Sequence, residues 1–205
     1  MVMALPEYLF MSVEDYLALD DNSHDARYEY LDGEVRMLAG ESTYHSALIS
    51  RLGAMLGNAL ENSSCWTYNS DMRLVLSESY YVYPDLSVSC DENDHTLDNS
   101  ILHPCIVVDV LSPSTEAIDT GEKLRAYLEH PTIQEYVIVD SLSIWIEVYH
   151  REEDGWKFRT YGPNSMVKLE HLKIQFSVDT LYRGMDLQAT RRLTKRKKAN
   201  NQRNS

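Results

Sequence analysis

Between residues 43 and 61 the apolar side chains of Leu48, Leu52, Met55, Leu56, Ala59 and Leu60 recur three or four positions apart, the spacing of a helix with one buried face. Ser42 or Thr43 stands ahead as an N-cap, and such a helix needs a sheet to lie on. Short apolar runs supply it at residues 65–68, 72–76, 85–88, 106–111 and 135–140. Ser112-Pro113-Ser114 breaks the chain after the fourth run, and a second helix is predicted from about residue 119 to 129, stopped by Pro131. Hairpins are predicted at both ends. Residues 28–37 read as two strands joined by Asp32-Gly33, and residues 144–149 and 156–161 alternate across Asp154-Gly155. Ser12 caps a short helix over 13–19, residues 77–79 and 91–100 read as polar loops, and a strand is predicted within 166–174. From residue 43 onward these elements contain the order helix, three strands, helix, strand: an α/β core with added hairpins and no internal repeats.

The chain has 205 residues, 43% of them hydrophobic, enough for one domain over residues 1–190. No run approaches the roughly 18 apolar residues that span a bilayer, and the N-terminus lacks the basic-then-apolar pattern of a secretory signal, so a cytoplasmic protein without a membrane partner is expected. Cys65, Cys90 and Cys105 are odd in number, widely spaced and without a C-x-x-C pair, which argues against a disulfide framework and a thiolate zinc site and for reduced cysteines.

The net charge of −13 conceals an asymmetry. Residues 191–205 carry seven basic side chains and no acid, leaving 12 basic against 32 acidic residues in the rest of the chain, a formal net of −20. A body of that charge repels nucleic acid, whereas a basic arm neutralises phosphates and holds a polyanion nearby. The tail reads equally as such a tether or as a disordered, solvated terminus.

Candidate chemistry lies in three stretches: Tyr83-Pro84-Asp85-Leu86-Ser87-Val88, Ile106-Val107-Val108-Asp109-Val110-Leu111-Ser112-Pro113, and Asp119 with Lys123. An acid inside a β-branched run faces burial, and a buried carboxylate must be paired, hydrogen-bonded or bound to a cation. Asp85 at the mouth of one strand and Asp109 inside the next would meet at a shared strand end and hold one divalent cation. Hard oxygen ligands without a histidine cluster favour Mg²⁺ or Mn²⁺ over zinc. Asp119 and Lys123 fall four apart on one helix face, with Tyr127 a turn further. The plain readings are a turn-forming Asp85, a hydrogen-bonded strand acid at 109 and a surface ion pair worth a few tenths of a kcal/mol.

These motifs, taken with Tyr28-Glu29, Leu31-Asp32-Gly33-Glu34, His45 and Glu135-Tyr136, closely resemble the Uma family of restriction-endonuclease-like proteins in the PD-(D/E)XK nuclease superfamily, over roughly residues 12–185. The resemblance implies a restriction-endonuclease-like α/β fold and Mg²⁺- or Mn²⁺-dependent hydrolysis of phosphodiester bonds in nucleic acid, DNA first. It implies Asp85, Asp109 and the Val110 carbonyl as metal ligands, and Lys123 as the group that orients the attacking water or stabilises the oxyanion. In the superfamily the lysine stands two residues after the second acid; here that position is Leu111, so the lysine is relocated to the helix. Asp109 replaces the family's usual glutamate and is shorter by about one bond length, roughly 1.5 Å, which admits an inactive descendant. Glu34 is the expected additional acid and Glu29 its rival; either also reads as a solvated strand residue. His45 reads as a structural hydrogen-bonder before a base, and Ser112, Ser114 and Thr115 as helix caps before phosphate ligands. The rival function is a non-catalytic nucleic-acid-binding or assembly protein that keeps the fold. Trp145, Tyr149, Trp156 and Phe158 exceed the aromatic surface one sheet face needs, so a homodimer covering them is expected, unless they pack within the same chain.

Overall fold

A computed structural model describes residues 9–38, 42–113 and 115–187. The basic tail and Ser114 lie outside the described residues. The chain begins with β1 (Leu9–Phe10), α1 (Val13–Asp21), β2 (Tyr28–Leu31) and β3 (Glu34–Met37), followed by α2 (Thr43–Leu60). Then come β4 (Trp66–Asn69), β5 (Arg73–Ser77), β6 (Tyr80–Val82), β7 (Leu86–Ser89), β8 (Ser100–Ile101) and β9 (Pro104–Leu111). Helices α3 (Glu116–Asp119) and α4 (Glu122–Glu129) lead to β10 (Glu135–Asp140), β11 (Ile146–Glu152), β12 (Gly155–Tyr161), β13 (Met166–Leu169), β14 (Ile174–Ser177) and α5 (Val178–Leu181).

The strands form a central sheet in the order β12-β11-β10-β9-β7-β4, a second in the order β1-β3-β2-β6-β5-β8, and the separate hairpin β13-β14. In the central sheet β9 and β10 are parallel and their neighbours antiparallel. A parallel pair needs a crossover, which α3 and α4 supply. This is the restriction-endonuclease-like α/β fold expected of the sequence. The Asp32-Gly33 hairpin forms with both residues at positive φ, +48° and +99°, as a tight two-residue turn requires.

Ser42 accepts the His45 N–H at the start of α2, and the helix buries Leu48, Leu52, Leu56 and Leu60 on one face of the central sheet. That face presents Leu86, Val88, Ile106, Val108, Val110 and Val137. The other face presents Val107, Leu111, Tyr136 and Ile138 to Tyr127 of α4 and to Leu31, Leu74, Val82 and Ile101 of the second sheet. Strands β9 and β10 are buried on both faces, hence their aliphatic sequences.

Four expectations change. The run at 72–76 pairs in the second sheet, not in the one on which α2 lies. The predicted 119–129 helix is two helices, broken at Thr120 and Gly121, and the 166–174 strand folds into β13 and β14 with Lys173 at φ +56°. The cysteines are not all reduced: Cys65 and Cys90 form a disulfide. Their separation of 25 residues hides that β4 and β7 are neighbours with Trp66 opposite Ser89, so that Cys65 and Cys90 meet just beyond the pairing. Cys105 is a free, buried thiol, pushed up to about 12 by burial.

The aromatic rings behind the homodimer expectation are covered largely by their own chain. Trp156 donates to the Leu128 carbonyl at 3.0 Å and lies under the Arg151 guanidinium at 4.4 Å; Tyr149 sits between Tyr136 and Phe158; Trp145 donates to Glu147. Only Phe158 of the four is largely exposed, at 44%. The flanking Lys157 and Arg159 pair with Glu152 and Glu170, charges of the kind that guard a sheet edge. Of the four rings, Phe158 is the one left for a second copy to cover. Among the described residues no helix is long and apolar enough to cross a membrane.

Alkylation of the denatured, unreduced chain is expected to label Cys105 alone, and labelling of all three cysteines would show the disulfide absent. Replacing Cys65 with serine should cost about 3 kcal/mol in urea denaturation, since it frees a loop of this length in the unfolded chain.

Candidate active site

Alternation along β9 turns Val108 and Val110 toward α2 and Val107, Asp109 and Leu111 toward the second sheet. Asp109 is therefore a carboxylate in an apolar layer, 2% exposed. One oxygen, Oδ2, accepts the Tyr136 hydroxyl at 2.8 Å; the other, Oδ1, lies 3.4 Å from the Lys123 ammonium. The carboxyl is pushed up to about 7, mainly by burial, with Asp119 and Asp85 adding to the shift and Lys123 opposing it.

Lys123 reaches Asp109 from the first turn of α4. It is itself 4% exposed and lies 3.1 Å from Glu29 Oε1 and 3.2 Å from Asp119 Oδ1. Burial alone would push the ammonium down, yet Asp109, Glu29 and Asp119 hold it well above its ordinary value. The pair of residues 119 and 123 is thus no surface ion pair. A break between α3 and α4 sets its geometry, and the break needs glycine: a Cβ on Gly121 would stand 2.6 Å from the Ala117 carbonyl oxygen.

Glu29 enters from β2 and also accepts the Tyr83 N–H at 3.0 Å, which fixes the backbone just before Pro84 and Asp85. Asp85 precedes β7, where Leu86 pairs with Val108, so it stands level with Asp109. Its Oδ2 accepts the Val110 N–H at 2.6 Å and lies 3.4 Å from Nε2 of the buried His45. Asp85, Asp109, Val110 and Lys123 are thus brought to one strand end. Glu34 is not in this cluster; it pairs with Arg36, which reaches toward Glu122. Ser112 and Thr115 bond each other across the turn after β9.

Along the sequence Tyr136 stands only as part of the Glu135-Tyr136 motif, with no role attached, and Glu29 is second to Glu34 as the additional acid. The available signal was Tyr136 as the one hydroxyl in a strand otherwise aliphatic between its terminal acids. Tyr127, fully buried with its ring centroid 4.7 Å from that of Tyr136 and tilted by 52°, carries a hydroxyl with no hydrogen-bond partner among the described residues; burial first, then Asp109, holds it well above the usual range.

The model of the Uma2 family, described as putative restriction endonuclease, matches residues 13–181. Two proteins of Synechocystis sp. (strain ATCC 27184 / PCC 6803 / Kazusa) are similar. The uncharacterized protein slr1290 is 37% identical over 177 residues, 85% of this chain and 93% of the relative. The uncharacterized protein sll1609 is 30% identical over 179 residues, 84% of this chain and all of the relative. Among solved structures, a putative nuclease belonging to DUF820 from Anabaena variabilis ATCC 29413 superposes with a TM-score of 0.70 at 18% identity, covering 84% of this chain and 97% of that one.

Lys123→Ala should lose about 3–5 kcal/mol in urea denaturation, because it leaves buried carboxylates without their cation. The raised Asp109 carboxyl gives a pH signature in cation-free buffer. Its contribution to stability is complete below the unfolded value of 3.8 and is lost as pH rises through about 7. Between pH 5.5 and 8 the melting temperature of the wild type should therefore fall relative to that of Asp109→Asn, whose amide does not titrate; parallel curves would contradict the shift.

Proposed function

Because the chain belongs to the Uma2 family, described as putative restriction endonucleases, we propose that it hydrolyses phosphodiester bonds in nucleic acid, DNA first, with a divalent cation at Asp85 and Asp109. The observation that carries the reading is the convergence of an acid from the mouth of β7, an acid inside β9 and a lysine from α4 at one buried strand end.

The residues fit such an ion by charge and by donor type. Asp109, Asp119, Glu29 and Asp85 gather four carboxylates around one ammonium and one imidazole. That excess of buried negative charge calls for a cation. The donors are hard oxygens, suited to Mg²⁺ or Mn²⁺. Among the described residues no three Asp, Glu, His or Cys side chains are arranged to enclose a metal by themselves; Mg²⁺ typically uses one or two carboxylates and completes its shell with water and phosphate. Asp85, Asp109 and the Val110 carbonyl would hold the ion, which when bound lowers the pKa of a coordinated water and offsets charge on the phosphate.

The protein's own groups have separable tasks. Asp85, anchored by the Val110 N–H, and Asp109, held by Tyr136, supply oxygens from two adjacent strands. Lys123 stays protonated among its carboxylates and offers its N–H groups to the water or to a phosphate oxygen where negative charge develops. Glu29 holds Lys123 in place and ties it through the Tyr83 N–H to the Asp85 strand.

One observation favours the rival reading, a non-catalytic nucleic-acid-binding or assembly protein: the Lys123 ammonium is met by three carboxylates and is barely exposed. Nicking of supercoiled plasmid decides between them. Cleavage is expected with Mg²⁺ or Mn²⁺, lost with a chelator, and reduced at least about a hundredfold by Asp85→Ala or Asp109→Ala. Full activity in Asp109→Ala would remove that residue from the mechanism. Deleting residues 191–205 should weaken DNA binding and flatten its salt dependence, each phosphate contact contributing about 0.9 to the slope of log affinity against log salt. Equal slopes would rule out the tail as a tether.

A further inference from the structure

We infer that the Tyr136 hydroxyl is a positioning group for Asp109: it commits one carboxylate oxygen to the protein, so that the other is turned toward Lys123 and a bound divalent cation. The inference rests on the reading of Asp109 as a cation ligand.

The terminal torsion of an aspartate joins an sp³ to an sp² carbon and is broad. On a buried strand the orientation of Asp109's carboxylate is therefore set by the hydrogen bonds it accepts. The described partners are two, one for each oxygen: the Tyr136 hydroxyl on Oδ2 and the Lys123 ammonium near Oδ1.

Tyr136 is built to hold its hydroxyl still. It is 0% exposed, with its ring centroid 4.7 Å from that of Tyr127 and 6.2 Å from that of Tyr149. The parallel register sets Tyr136 beside Val107 and Ile138 beside Asp109, so the ring runs along the strands by two residues to reach the acid. The hydroxyl also lies 3.2 Å from the Asp119 carbonyl oxygen, at the end of the short helix that sets Lys123. One proton donor thus touches both the acid of β9 and the α3–α4 turn. Hydrogen-bond partners of metal-ligating carboxylates change metal affinity about ten- to a hundredfold when removed.

A core tyrosine that merely satisfies its own hydroxyl predicts something different, and direct Mn²⁺ binding separates the two. Free Mn²⁺ is measured by electron paramagnetic resonance on the full chain, as wild type, Tyr136→Phe and Asp109→Asn, with melting temperatures recorded alongside. Tyr136→Phe keeps the ring and should weaken Mn²⁺ binding about ten- to a hundredfold. A Tyr136→Phe protein that melts lower but binds Mn²⁺ with wild-type affinity would overturn the positioning role alone. No saturable binding by the wild type, or wild-type affinity in Asp109→Asn, would overturn the cation site itself and this inference with it.

Discussion

A buried ammonium held by three carboxylates is the constraint that the packing of four elements has to meet. Lys123 comes from α4, Asp119 from α3, Asp109 from the central sheet and Glu29 from the second sheet, so one cation joins four elements. Taking these charges out of water is expensive, and a buried ion pair is often no more stabilising than an apolar replacement of the same size. The cluster therefore does not hold the fold together. Strands β9 and β10, apolar on both faces, and the leucine face of α2 do that, and they hold the charges where water cannot separate them. An arrangement costly to stability and still negative after pairing is what a site for a cation and a phosphate would look like before either arrives.

Much of this was legible along the chain because local rules and tertiary context agreed. The leucine period of α2, the Asp32-Gly33 turn and the apolar runs of β9 and β10 each needed only one neighbour to be satisfied. What escaped depended on pairing. Residues 73–77 read as a strand on any local criterion, but nothing local says which of two sheets they join. The Cys65–Cys90 disulfide follows from the β4–β7 register, which is set by the hydrophobic faces of both strands together. The split between α3 and α4 depends on the approach of Gly121 to the Ala117 carbonyl, a contact with no sequence signature beyond a glycine in a helical run.

Glu29 and Glu34 illustrate the limit on the site itself. Glu29 pairs across the hairpin with Arg36, and Leu31 with Glu34, so both glutamates lie on the same face of β2 and β3. Facing could not decide between them. Two residues along a strand, about 7 Å, do: Glu29 lies deep enough to meet Lys123, whereas Glu34 lies near the turn and meets Arg36. Lys123 is the converse case. Its four-residue spacing from Asp119 suited a solvated pair as well as a site, and only the layer above β9 makes it buried.

The short acid at 109 also has a physical account. Asp109 stands between Val107 and Leu111 in a packed layer, with Tyr136 at 2.8 Å and Lys123 at 3.4 Å. Both partners meet the carboxylate close to the strand, and one more methylene would drive it into them or turn it aside. Overpacking of a filled interior costs about 1–3 kcal/mol. The short acid is met by a tyrosine and a lysine that come to it, the lysine from the helix, while the strand position two residues on is the core residue Leu111. The short reach of the acid is thus met by its neighbours, so the aspartate, the tyrosine and the helix lysine belong to one packing solution.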